Sequence, residues 1–360
     1  MLVASVLGLL IILLIAGVPL FFAMGAVSAF YMYMTGIPIA LMSQRMTASV
    51  NGFLILAIPF FYLAGELMNL CRLTDKIIAM SRALVGHIHG GLAQVNIFAS
   101  MIFAGMSGSA TADTAALGSV LIPGMKKEGY PPEFAAAVTV ASAMVGPIIP
   151  PSVPMIIVGA MTGISVGRMF MAGAVPGLML GFGLMIACYI ISVRRGYPHQ
   201  PWQGWRELLR SFMGSFWALT MTALIIVGIL SGDVTPTETA VVAVVYAMVV
   251  GLFVYRGFTL KDIPRIFIDS TIASAAILIL VGFANVFGWI LSSEQIPQKI
   301  AEGVLTITDN KYLVILLLNV LLLIVGMFME TIAALIVLFG PLHAVAQSVG
   351  IDSVHFATFA

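Results

Sequence analysis

The chain has 360 residues, 61% of them apolar and 9% charged, with 16 Lys+Arg against 15 Asp+Glu. A soluble protein of this size is about 45–50% apolar and about 25% charged, so at a mean hydropathy of +1.11 there is too little polar surface to wet a globule. A net charge of +1 without a basic stripe excludes a nucleic-acid binder, and two cysteines, Cys71 and Cys188, both beside apolar runs, exclude a disulfide scaffold.

From the N-terminus, charge-free intervals cover residues 1–44, 46–65, 134–167, 169–193, 211–232, 239–255 and 270–293. A membrane span needs roughly 20 apolar residues in a helix, and unbroken runs lack the alternation of a membrane barrel. The fold class expected is therefore an all-α integral membrane protein. Residues 1–44 suffice for two spans or one broken at Gly17 and Pro19. No signal peptide is expected, since the n-region lacks Lys and Arg and no polar stretch follows.

Two apolar intervals are interrupted. Residues 91–124 carry Gly105-Met-Ser-Gly-Ser-Ala-Thr-Ala-Asp113 near the middle, and residues 312–346 carry Gly326-Met-Phe-Met-Glu330. Arms of about 14 to 16 residues are too short to cross, so each interval reads as a re-entrant helical hairpin, over residues 91–125 and 312–347. Orientation follows from Lys and Arg in short loops. Arg194, Arg195, Arg206 and Arg210 in one loop and Arg256, Lys261 and Arg265 in the next face the cytoplasm, with the acidic turn of residues 231–238 outside. By that count the two hairpins enter from opposite faces.

The chain is also self-similar. Gly105-Met106 aligns with Gly326-Met327 and Gly129 with Gly350 at an offset of 221, and Phe134-Ala135 with Phe356-Ala357 one residue later. An odd number of crossings between the copies inverts the second. Inverted repeats with broken helices are the architecture of many secondary transporters. The expected organisation is N-terminal scaffold span(s) and an arm over 1–50, then repeat 1 over 51–193 with a broken helix at 131–163. A cytoplasmic arginine loop and scaffold spans follow over 194–269, and repeat 2 over 270–360. The second copy stops before any counterpart of the first broken helix, so C-terminal truncation is expected.

Chemistry concentrates at the interruptions. Gly146-Pro-Ile-Ile-Pro-Pro-Ser-Val-Pro154 holds four prolines, each removing a helix hydrogen bond. Backbone freed in mid-membrane is tolerated only inside protein or beside water, and freed carbonyls suit Na⁺. The tip from Ser107 to Asp113 offers hydroxyls, bare glycine backbone and a carboxylate, which suit a small cation or an organic carboxylate. Glu330 lies deep in an apolar run, where an ionisable residue is a functional candidate by default. A rival reading takes Gly105-Met-Ser-Gly108 as an intramembrane serine protease motif with Ser107 as nucleophile, but no histidine lies mid-span to serve as its base. A channel would explain one polar tip, not two inverted hairpins.

Together these segments, with Thr235-Pro-Thr-Glu238 and Gly350-Ile-Asp-Ser-Val-His-Phe356, resemble the large membrane subunit of the tripartite ATP-independent periplasmic (TRAP) transporters. The resemblance implies a transporter rather than an enzyme, of ion-transporter-like elevator type, in a bacterial or archaeal inner membrane. It implies Na⁺-driven import of an organic anion such as a dicarboxylate or sialic acid, with proton coupling as the alternative. The implied partners are a small four-helix membrane subunit, expected as a separate chain, and a periplasmic substrate-binding protein. On the family pattern, Ser107, Val145, Gly146, Pro150, Gly326, Met329 and Glu330 are the candidate Na⁺ ligands. Ser109, Asp113, Ser152 and Thr162 are the candidate substrate contacts. Na⁺ is the only metal expected, as the coupling ion, and no transition metal.

Overall fold

A computed structural model of the chain describes every residue except Met1, Arg72, Asp309, Phe328 and Glu330; the side chains of Leu2, Val3, Ala4, Ser107, Ala301, Val304, Leu305 and Ile307 are also undescribed. Seventeen α-helices and no strand occur among the described residues. They are α1 (Leu2–Ile15), α2 (Leu20–Thr35), α3 (Ala40–Val50), α4 (Ala57–Leu70), α5 (Leu73–Val85), α6 (Gly91–Ser107), α7 (Ala110–Lys127), α8 (Pro132–Ala143) and α9 (Val153–Thr162). Then come α10 (Val166–Arg195), α11 (Trp205–Ser231), α12 (Pro236–Val249, continued by a π-helical turn to Val254), α13 (Ile263–Ser293), α14 (Ile296–Ile307), α15 (Lys311–Gly326), α16 (Thr331–Ser348) and α17 (Ser353–Phe359). Five of them, α10, α11, α12 with its π turn, α13 and α16, are long and apolar enough to cross a membrane.

The chain forms two compact units, one of Ala57–Met155 with Val166–Thr271, the other of Met1–Leu56, Ile156–Ser165 and Ile272–Ala360. In the first, α4 lies on α12, α5 on α6 and α11, and α6, α7 and α8 pack mutually with α10 against α6 and α8. Helix α10 shows why lipid, rather than water, is the solvent here. Val175, Met179, Phe182 and Ile186 are more than half exposed, whereas Gly173, Gly177 and Gly181 are buried. A soluble helix does the reverse. Between helices in lipid, close backbone approach is the gain and small residues provide it. A Cβ at Gly177 would lie 2.7 Å from Ile149 Cγ1, and one at Gly181 2.5 Å from Met101 Sδ.

In the second unit α2 packs on α13, where Gly25 accepts the ring of Phe283 and the Tyr31 hydroxyl donates to Glu294 Oε1 at 2.6 Å. Helix α3 meets α13 through Met46 at Gly282 and Arg45 over Trp289. Helix α16 packs on α14, α15 and α17, with His343 stacked between Phe339 and Phe356.

The two self-similar segments of the sequence share a local plan. The α6–α7 pair is followed by Gly129 at φ +89° and a helix carrying Phe134-Ala135; the α15–α16 pair is followed by Gly350 at φ +71° and a helix carrying Phe356-Ala357. Left-handed backbone at both aligned glycines explains why glycine stands there. The arms have 16 to 18 residues, slightly longer than the expected 14 to 16. Helix α7 starts in the polar tip at Ala110 and runs through Pro123 to Lys127, so it includes residues that a count of apolar positions leaves out.

Candidate ion and substrate site

Helix α6 ends where Gly108 turns left-handed at φ +59° and takes an N–H bond to the Ala104 carbonyl. Ser109 then caps α7, its hydroxyl accepting from Ala112 N at 3.5 Å and lying 3.0 Å from the Thr111 hydroxyl. The tip is thus two residues long, closer than the nine-residue interruption suggests. Gly108 is required twice over, since a Cβ there would also stand 2.7 Å from the Pro151 carbonyl oxygen and 3.2 Å from Val153 N. The tip therefore rests on the backbone of the break between α8 and α9.

That break spans residues 144–152. An α-helix would return the N–H of residue i+4 to each carbonyl. For Gly146, Pro147 and Pro150 the residues four on are Pro150, Pro151 and Pro154, which have no N–H. Proline spacing thus strips these three acceptors of their helical donors. Pro147 recovers one bond, from the Ser152 hydroxyl, and that oxygen also accepts from Met155 N at 3.3 Å, capping α9. The Val145 carbonyl accepts from Ile148 N and Ile149 N at 3.1 and 3.0 Å. The peptide bond Pro150–Pro151 is cis.

Asp113 sits in the first turn of α7 and is fully buried at 0% exposure. Its carboxylate faces the break: a Cβ at Gly146 would lie 2.6 Å from Asp113 Oδ2 and 3.0 Å from the Ala143 carbonyl oxygen. Glycine at 146 lets a buried carboxylate approach the backbone of the break. Carboxylate and carbonyl oxygens together form a hard, anionic donor set of the type that alkali cations accept.

The first unit thus brings Ser109, Asp113, Val145, Gly146, Pro150 and Ser152 onto one tip and one break. Thr162, Gly326 and Met329 belong to the second unit. The Thr162 hydroxyl donates to the Val158 carbonyl at 2.7 Å and accepts from Ile164 N at 3.3 Å, closing the end of α9. Gly326 is the last residue of α15, and Met329 N bonds the Val325 carbonyl at 3.0 Å. Glu330 and the side chain of Ser107 lie outside the described residues.

Behind the tip runs a polar ladder that spacing could have revealed. Asn96 donates to Thr139 at 2.6 Å, and Ser100 to Ser142 at 2.9 Å, all four residues at most 1% exposed. They lie four apart on α6 and three apart on α8, hence on one face of each helix. Across an apolar interface such bonds join helices firmly in register.

With this geometry in view, the sequence pattern of the tripartite ATP-independent periplasmic transporter, DctM component, matches residues 7–360. The chain belongs to that family. The sialic acid TRAP transporter large permease protein of Vibrio cholerae is 42% identical over 351 residues, covering 97% of this chain and 82% of the relative. The C4-dicarboxylate TRAP transporter large permease protein of Pseudomonas aeruginosa is 40% identical over 303 residues, 84% of this chain and 71% of the relative. The isethionate TRAP transporter permease protein of Oleidesulfovibrio alaskensis is 36% identical over 358 residues, 97% of this chain but 55% of that longer relative. As a TRAP large permease the chain is a multi-pass membrane protein and a transporter subunit, not an enzyme. The serine-protease reading of Gly105–Gly108 is thereby set aside.

Proposed function

We propose that this TRAP permease imports organic anions of the sialic acid or C4-dicarboxylate class, driven by Na⁺ across a bacterial or archaeal inner membrane. The observation that carries the Na⁺ reading is the fully buried Asp113 carboxylate facing Gly146, beside carbonyls that proline spacing has stripped of donors. An anion entering a low-dielectric path needs its charge compensated. A cation bound first between α7 and the break would neutralise Asp113, order the tip and prepare the site for a carboxylate. Re-entrant hairpins carrying the substrate in an elevator motion fit the helix–tip–helix plan of α6–α7 and α15–α16. The cation ligands are then Gly146 and Pro150 carbonyls with Asp113. Val145, whose carbonyl already holds two N–H bonds, ranks below them; Ser107 is proposed beside them on the first tip, and Gly326, Met329 and Glu330 as cation ligands at the tip between α15 and α16. Ser109, Ser152 and Thr162 remain the proposed substrate contacts, Ser152 only after releasing its local bonds.

The proposed partners are a periplasmic substrate-binding protein and a small four-helix membrane subunit. A relative of which this chain covers only 55% has room for such a component in the same polypeptide. The test is uptake of labelled sialic acid and succinate into proteoliposomes holding the assembled transporter. Uptake should require an inward Na⁺ gradient and the binding protein together. Uptake driven equally by a proton gradient in Na⁺-free medium would move the coupling to protons, with Asp113 as the group to carry them.

A further inference from the structure

We infer that the unit containing α13 and α16 holds a second anion site, a cavity that takes a small organic carboxylate with Arg45 as its counter-charge. The choice of carboxylate rests on the transport reading above; the cavity itself does not. Its volume is about 530 Å³, within the range of small-molecule pockets. It is lined by Arg45 from α3, Asn285 and Trp289 from α13, Gln298 from α14, and His343 and Gln347 from α16. Among the described lining residues Arg45 is the sole charged side chain, so the cavity is positive, and no carboxylate in it competes for that charge.

Arg45 is poised rather than satisfied. Its guanidinium carbon lies 4.2 Å from the centroid of the Trp289 ring. Its Nε is buried and makes no hydrogen bond among the described residues. A ring face attracts a cation but cannot satisfy five N–H donors, and a guanidinium fork matches a carboxylate in a bidentate pair. The polar wall is held in place from behind, since the Ser353 hydroxyl bonds His343 Nε2 at 3.0 Å and Gln347 Nε2 at 3.2 Å. Two further lining residues are glycines, Gly288 and Gly340, and a Cβ at either would meet nothing within 4 Å. Glycine here leaves room for a guest rather than permitting close packing.

The experiment measures binding of labelled succinate and N-acetylneuraminate to the assembled transporter in zwitterionic nanodiscs, in choline buffer without Na⁺. Saturable binding is expected. Arg45→Gln should weaken it tenfold or more and Arg45→Lys by roughly three- to tenfold, since lysine keeps the charge and loses the fork. Gly340→Leu should block it by filling the cavity, into which its Cβ enters without a clash. Equal binding in Arg45→Gln and Gly340→Leu would overturn the inference. Absence of saturable binding alongside intact Na⁺-driven uptake would overturn it too, leaving the transport function standing. Arg45-dependent binding without any Na⁺-driven uptake would do the opposite. A phospholipid head group offers the same anionic chemistry, so the titration is repeated in phosphatidylglycerol discs. Arg45-dependent exclusion of carboxylate there, with strong binding in zwitterionic discs, supports a soluble guest. Arg45-dependent capture of phosphatidylglycerol with no carboxylate binding in either disc overturns it.

Discussion

At Gly146 the space beside the backbone admits a single hydrogen atom and no more. A methyl group there would stand 2.6 Å from the Asp113 carboxylate and 3.0 Å from the Ala143 carbonyl oxygen, and neither buried backbone nor buried carboxylate can yield cheaply. Gly146→Ala should therefore cut Na⁺-driven uptake by at least tenfold while the protein still purifies with its partner, as read by initial rates in proteoliposomes; unchanged rates would remove the site from the break. Asp113→Asn keeps the shape and deletes the charge. If Na⁺ binds there, the wild type should melt higher in NaCl than in KCl, by an amount equivalent to about 1.4 kcal/mol at tenfold the Kd, and the variant should show no such difference. Glu330→Gln should likewise lower Na⁺-dependent uptake without preventing assembly. Sequence alone points to Gly146, Asp113 and the prolines, because an unusual residue in a charge-free run announces itself. Their mutual approach is invisible there, since residues 113 and 146 become neighbours only when α7 and α8 pack. Arg45 reads in the sequence as nothing more than the end of an apolar interval. Its meaning depends on Trp289 and α16, which lie more than 240 positions away.

Helix ends are set by chemistry that the sequence spells out. Thr235 and Glu238 cap α12 reciprocally, the threonine hydroxyl accepting from Glu238 N at 3.2 Å and the Glu238 carboxylate accepting from Thr235 N at 2.8 Å. Thr235→Ala should lower thermal stability in detergent by about 1 kcal/mol, and a loss below the resolution of the melt would show that lipid contacts, not the cap, hold that end. A one-way version precedes α13, where Thr259 N and Oγ donate to Asp262 Oδ2 at 2.8 and 2.7 Å and hold its pKa below the usual value. The folded pKa is the lower one, so that contribution is present above the ordinary aspartate range and fades as pH falls through the folded value. The helical pairs, the tip and the break were likewise legible, because glycine, proline and hydroxyl clusters interrupt otherwise uniform apolar runs. Arm lengths were not. Helix α7 extends through Ser119 and Pro123 to Lys126 and Lys127 because polar residues near a helix end cost little there, so composition understates its reach. The spacing of Asn96 with Ser100 and of Thr139 with Ser142 puts each pair on one helix face, but that the two faces meet is set by the packing of α6 on α8, which the sequence does not display.

For the molecule as a whole, composition decides the solvent, and the solvent decides what counts as a core. Exposed Val175, Met179 and Ile186 would be liabilities in water; in lipid they are the proper surface, and the interior is stitched by small residues and hydrogen bonds instead. One result is that Gly173, Gly177 and Gly181 form a row of notches along α10, spaced four residues or roughly 6 Å apart. The first receives Met155 and the Ile148 carbonyl, the second Ile149, the third Met101. Any slip of α10 by less than one notch takes Met155, Ile149 and Met101 off the glycines that receive them. Relative travel along this seam cannot be gradual. It must go tooth by tooth, like a rack against a pawl, or the seam must travel intact.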